Sequence, residues 1–143
     1  MIADQRVFVD TNVLIYARDP SAGVKHAAAR LWLERLATVD QLLLNLQVLN
    51  ELTRWILRKE NAAVPVARDA VDMLRAFGEK PLAPEDVELA WDVRNHLGYQ
   101  WFDCLLVACS HFLSEDMGHE TRYGQLIIIN PFRVDPDAFF KAN

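Results

Sequence analysis

Val7-Phe8-Val9 is an apolar run that stops at Asp10-Thr11-Asn12, and a second apolar run with helical spacing, Val13 to Tyr16, starts at once. A three-residue apolar run bounded by polar residues reads as a buried strand. A strand that passes straight into a helix is the repeating unit of an α/β fold. In such folds ligand and catalytic groups collect just beyond the carboxyl ends of the strands, and Asp10 stands there. Two readings of that acid are open. It is an oxygen donor for a hard cation, or Asp10, Thr11 or Asn12 simply caps the next helix.

The remaining chain repeats the alternation. Arg18 to Gly23 has turn chemistry. Lys25 to Thr38 predicts a helix with Ala28, Leu31, Trp32 and Leu36 facing inward. Leu42 to Leu44 predicts a short strand, Asn45 an N-cap, and Leu46 to Lys59 a helix burying Leu49, Leu52 and Ile56. Val66 to Phe77 is a further helix, preceded by Pro65 and stopped by Gly78. Lys80 to Ala83 predicts a short edge strand limited by Pro81 and Pro84. A helix with acids in its first turn runs from Pro84 to about His96 and closes at Gly98. Trp101 to Leu113 reads as a helix apolar nearly all round. Ser114 to Met117 then reads as a turn or very short strand, Gly118 to Gly124 as a polar loop, and Leu126 to Ile129 as a buried strand. The tail from Phe132 to Asn143 carries no clear pattern. This order predicts a three-layer α/β/α sandwich around a short, mostly parallel central sheet.

With 143 residues and no repeat or linker, residues 1–143 are expected to form a single domain. An apolar content of 52% with 24% charged residues excludes disorder. No run reaches the roughly 20 apolar residues of a membrane span, and the N-terminus has no signal-peptide pattern. On a common helix Cys104 and Cys109 point about 140° apart. A disulfide between them is therefore not expected, which fits the cytoplasm. The net charge of −5 argues against nucleic-acid binding by bulk charge alone. It leaves nucleic acid open as a substrate, because a bound metal reverses the local sign.

Four acids recur at equivalent places: Asp10 after the first strand, Glu51 in the helix after the second, Asp103 in the first turn of the apolar helix, and Asp116 after that helix. Each has an ordinary explanation. Glu51 can pair with Arg54 or Arg58 on a solvated face, Asp103 favours the positive end of a helix, and Asp116 suits a turn. Parallel strands, however, would bring all four to one edge of the sheet. Like charges ~4 Å apart repel by about 4 kcal/mol at an effective dielectric near 20. Such a cluster needs protons or a divalent ion, and oxygen-only ligands suit Mg²⁺ or Mn²⁺. His26, His96, His111 and His119 are scattered without zinc spacing; His119 lies in the loop beside Asp116.

On these residues the sequence resembles the PIN-domain ribonucleases, most closely the VapC-type toxins of bacterial toxin–antitoxin pairs. Phe8 to Tyr16 resembles that family's first motif, Gln47 to Leu52 its second, and Trp101 to Ala108 its third. Leu113 to Met117 with Ile128-Ile129-Asn130-Pro131-Phe132 resembles the fourth motif and closing strand. The resemblance runs from about residue 6 to 132. It implies that Asp10, Glu51, Asp103 and Asp116 are catalytic, metal-binding acids, with Thr11, Asn12 and Ser114 supporting metal or phosphate. It further implies a metal-dependent endoribonuclease using Mg²⁺ or Mn²⁺ in the cytoplasm, often a homodimer, silenced by a cognate antitoxin. Cys104 replaces the commoner Ala. The stretch from Met117 to Gly124 departs from the usual short Gly loop, which leaves Glu115 as the alternative fourth acid.

The mechanism expected is attack of an ion-activated water on an RNA phosphodiester, with Arg18, Lys25, Arg54 and Arg58 as candidate guides for the RNA. Two other classes compete. One is a catalytically silent PIN-like module that binds RNA or a partner. The other is a phosphoacceptor-Asp signalling domain. Against the second, the position two residues after Asp10 is Asn12 rather than Asp, and Ile127-Ile128-Ile129-Asn130 supplies no Lys.

Overall fold

The computed structural model describes residues 6–75, 83–101, 111–123 and 126–142. In chain order the elements are β1 (Val7–Val9), α1 (Thr11–Arg18), a 3-10 turn (Pro20–Ala22), α2 (Val24–Thr38), β2 (Leu42–Leu43), α3 (Leu46–Lys59), α4 (Val64–Arg75) and α5 (Pro84–Leu97). They continue as β3 (His111–Leu113), β4 (Arg122–Tyr123), β5 (Leu126–Ile129) and α6 (Pro136–Ala142). The strands form one sheet in the order β2-β1-β3-β5-β4. The first four are parallel and β4 is antiparallel to β5. Helices flank the sheet, giving the expected three-layer α/β/α sandwich with a mostly parallel centre.

The central strands are apolar on both faces because helices cover both. Val7, Phe8 and Val9 are buried, as are Phe112, Leu113, Ile128 and Ile129. Phe8 and Phe112 are cross-strand partners and their rings stack with centroids 5.7 Å apart. Asn45 caps α3, its Oδ1 accepting from Val48 N at 2.9 Å. The α3 face it starts buries Val48, Leu49, Leu52 and Ile56. Asp86 reaches back to Ala83 N at 2.9 Å, and Gly98 closes α5 at φ +71°, where a glycine costs least.

Three expectations need correction. His111 to Leu113 is a strand, not the end of a helix: it pairs with β1 on one side and β5 on the other. An apolar run without alternation cannot separate a buried strand from a buried helix, and two strand partners decide the matter here. Asp116 therefore follows a strand. Arg122–Tyr123, within the stretch read as polar loop, is β4. The buried face of α2 is Ala29, Trp32 and Leu36 rather than Ala28 and Leu31, with Leu31 39% exposed. The tail carries α6, whose Phe139 is buried. The expected end of α4 at Gly78 and the edge strand expected over Lys80 to Ala83, apart from Ala83 itself, lie outside the described residues, as do Cys104 and Cys109.

Trp32 ties that tail to the body. Its Nε1 donates to Pro131 O at 2.8 Å and to Val134 O at 3.1 Å, and its ring packs on Phe139 at 5.4 Å. Trp32→Phe should lower stability by about 2–4 kcal/mol, from lost volume and carbonyls left unpaired. Urea unfolding measures this; a change under 1 kcal/mol would mean that the clasp is dispensable.

Candidate functional site

The site begins with strand register. Val9 pairs with Leu113, and Asp10 N donates to Leu113 O at 3.0 Å. The next residue of β3, Ser114, is thereby set beside Asp10. The chain leaves β1 toward β2 and leaves β3 toward β5, so the exits diverge at this point of the sheet. Diverging exits open the crevice in which α/β folds hold ligands.

Asp10 is 7% exposed and Ser114 fully buried. The Ser114 hydroxyl donates to Asp10 Oδ2 at 2.7 Å, and Thr11 N donates to Asp10 Oδ1 at 2.7 Å. Asp10 is also the N-cap residue of α1, as the second of the two readings expects. The cap fixes the carboxylate and leaves it part of a larger group. Thr11 Oγ1 donates to Glu51 Oε2 at 2.6 Å, joining the start of α1 to α3. Gln47 Nε2, one turn earlier on α3, donates to Glu51 Oε1 at 3.3 Å. The partners of Glu51 are thus a hydroxyl and an amide, not Arg54 or Arg58. Asn12 Nδ2 donates to Asp116 Oδ2 at 3.0 Å and lies 3.4 Å from Asp10 Oδ2. Asp116 N in turn donates to Ser114 Oγ at 3.2 Å.

Asp10, Glu51 and Asp116 therefore come together through Thr11, Asn12 and Ser114. Asp10 forms the floor, while Glu51 and Asp116 are exposed at the rim. Asp103 lies outside the described residues. Among the described residues, no three His, Cys, Asp or Glu side chains are close enough to hold a metal ion together. The donor chemistry nevertheless fits a hard cation. The three carboxylates and the hydroxyls of Thr11 and Ser114 offer oxygen, and among the described residues Asn12 Oδ1 is buried with no hydrogen-bond partner.

Glu115, adjacent to Asp116, is used differently. Its carboxylate pairs with the ammonium of Lys25, and the Tyr16 side chain stands in the same group. Lys25 Nζ also lies over the rings of Tyr16, 5.0 Å from the centroid, and Phe132, 5.5 Å away. Burial pushes the Glu115 carboxyl up, but hydrogen bonds from Lys25 and Tyr16 and the Lys25 charge outweigh it, so the net shift is downward. The hydrogen bond to Glu115, followed by burial, raises Tyr16; the same carboxylate raises Lys25. Of the four basic residues considered as RNA guides, Lys25 is engaged here and Arg18 pairs with Glu60 at 2.8 Å. Arg54 and Arg58 are exposed on α3. His119 Nδ1 accepts from Asn130 N at 3.0 Å, which holds the loop after Asp116 against the end of β5.

Sequence reading did not pair Tyr16 and Lys25 with Glu115. The contact joins residues 90 positions apart and no local spacing encodes it.

The PIN domain family model matches residues 7–116. The chain belongs to the PIN domain family. No curated protein matches it by sequence. Among solved structures, the crystal structure of VapBC2 from Rickettsia felis bound to a DNA fragment from their promoter contains a chain with the same fold. The TM-score is 0.62 at 15% identity, over 87% of this chain and 97% of that one. PIN domains are generally nucleases. No helix of the described residues is long and apolar enough to cross a membrane.

Ser114→Ala removes the hydroxyl joining Asp10 to the backbone of Asp116. It should destabilise the metal-free protein by about 1.5–3 kcal/mol, the worth of a hydrogen bond to a charged acceptor. Urea denaturation reads this directly, and an unchanged midpoint would mean that another donor serves Asp10 equally well.

Proposed function

We propose that this chain is a metal-dependent endoribonuclease, the VapC-type toxin of a type II toxin–antitoxin pair. One observation carries the reading. Acids from three separate elements meet at one sheet edge, linked by hydroxyls and an amide in an oxygen-only group. Asp10, Glu51, Asp103 and Asp116 would together hold Mg²⁺ or Mn²⁺; the three described acids do not close a metal site by themselves. When bound, such an ion supplies activation of water and neutralisation of charge at the scissile phosphate.

The chain's own groups have distinct tasks. Ser114 and the α1 backbone fix the Asp10 carboxylate in one orientation, so it need not reorganise as charge develops. Thr11 holds Glu51 and Asn12 holds Asp116, which keeps the rim acids facing the floor. Exposed Arg54 and Arg58 are left to attract the RNA backbone.

The resemblance to the VapBC2 structure supports a protein partner, a cognate antitoxin. A homodimer, a cytoplasmic location and action of residues 1–143 as one domain belong to the same reading. The core that runs from Val7 to Phe139 supports the last of these.

Asp10→Asn should cut RNA cleavage by about 100-fold or more, since a lost ligand removes several kcal/mol of transition-state charge stabilisation. Mn²⁺ should raise the melting temperature of the wild type and leave that of the variant unmoved. Cleavage that survives a chelator would overturn the metal role. RNA binding without any cleavage would favour the silent module.

A further inference from the structure

Two neighbouring acids in the bend after β3 are held in opposite settings. Asp116 is bonded to Asn12 at the start of α1. Glu115 is bonded to Lys25 on α2, and that lysine lies over the ring of Tyr16 near the end of α1. The bend itself is short. Ser114 is fixed before it by its backbone bond to Ile129 O at 3.0 Å, and Met117 is buried after it. Between these anchors, Asp116 is exposed and, among the described residues, its side chain accepts from Asn12. Residue 115 leads directly into Asp116, and its side chain is tied to α2 through Lys25.

The grip on Glu115 is itself braced. The Tyr16 ring meets Phe132 edge-on at 5.2 Å, and Lys25 caps both rings. Phe132 N donates to Asn130 Oδ1 at 2.9 Å, and Asn130 N donates to His119 on the far side of the bend. The bend is enclosed by contacts from α1, α2 and the segment after β5.

We infer that Glu115 is a positioning residue: held by Lys25, which is itself braced on the Tyr16 ring, it anchors the Ser114–Met117 bend so that Asp116 faces Asn12 and Asp10. With its charge matched by Lys25, Glu115 is also withheld from the cation, which makes Asp116 the fourth acid. The inference rests on the proposed nuclease reading for its purpose, though its geometric part stands apart from it.

The experiment compares Glu115→Gln, Lys25→Met, Lys25→Arg and Tyr16→Phe with the wild type. In metal-free ¹⁵N-labelled protein, the Asn12 side-chain amide reports the bond to Asp116. Its signals should shift and exchange faster with solvent in Glu115→Gln and Lys25→Met. Calorimetric titration should show Mn²⁺ affinity lowered about tenfold in both, as for lost support of a metal ligand. Lys25→Arg should restore most of it. Tyr16→Phe, which removes one hydroxyl and keeps the ring, gives a smaller shift in the same direction and serves if the charge variants fail to fold. Lower melting temperatures with unchanged Asn12 signals and unchanged Mn²⁺ affinity would overturn the inference. A wild type that neither binds Mn²⁺ nor cleaves RNA, yet shows the Asn12 response, would overturn the nuclease reading and support the positioning role.

Discussion

The backbone bond between Asp10 N and Leu113 O is the contact on which the site depends. It extends the β1–β3 ladder by one step past the last paired residues. That step sets the floor acid beside the buried Ser114 hydroxyl. Strand pairing admits no partial slip: moving β3 by one residue would turn Ser114 to the opposite face. The Phe8–Phe112 stack and the burial of both neighbouring side chains hold the register. Packing in the sheet and placement of the acids are therefore one fact.

The electrostatics follow from which partners the acids have. Glu51 and Asp116 are met by hydroxyl and amide donors. Neutral donors orient a carboxylate without cancelling its charge. The lysine nearest the bend is spent on Glu115, and the arginine at the end of α1 on Glu60. Neither cation is paired with Asp10, Glu51 or Asp116 among the described residues.

Much of this was legible in the residues. The strand at Val7 to Val9, the Asn45 cap and the inward stripe of α3 follow from local patterns, and these carry Asp10 and Glu51 to the same edge. Asp116 could be named because it follows an apolar run, although that run ends as a strand. Periodicity failed from His111 to Leu113 because a strand covered on both faces shows no alternation. The clamp on Glu115 was invisible for another reason. It joins α1, α2, the β3 exit and Phe132, four segments far apart in sequence, and nothing within any one of them announces the others.

The family match ends at Asp116, yet much of what steadies that residue comes later in the chain. Ile129 receives the Ser114 amide, Ile128 receives Glu120 N, and Pro131 and Val134 receive the Trp32 indole. A fragment severed after Asp116 would keep the recognisable motifs and lose the strand that shields the open side of β3. A bare apolar edge of that kind recruits other chains. The shortest piece able to carry this chemistry is longer than the stretch by which its kinship is recognised.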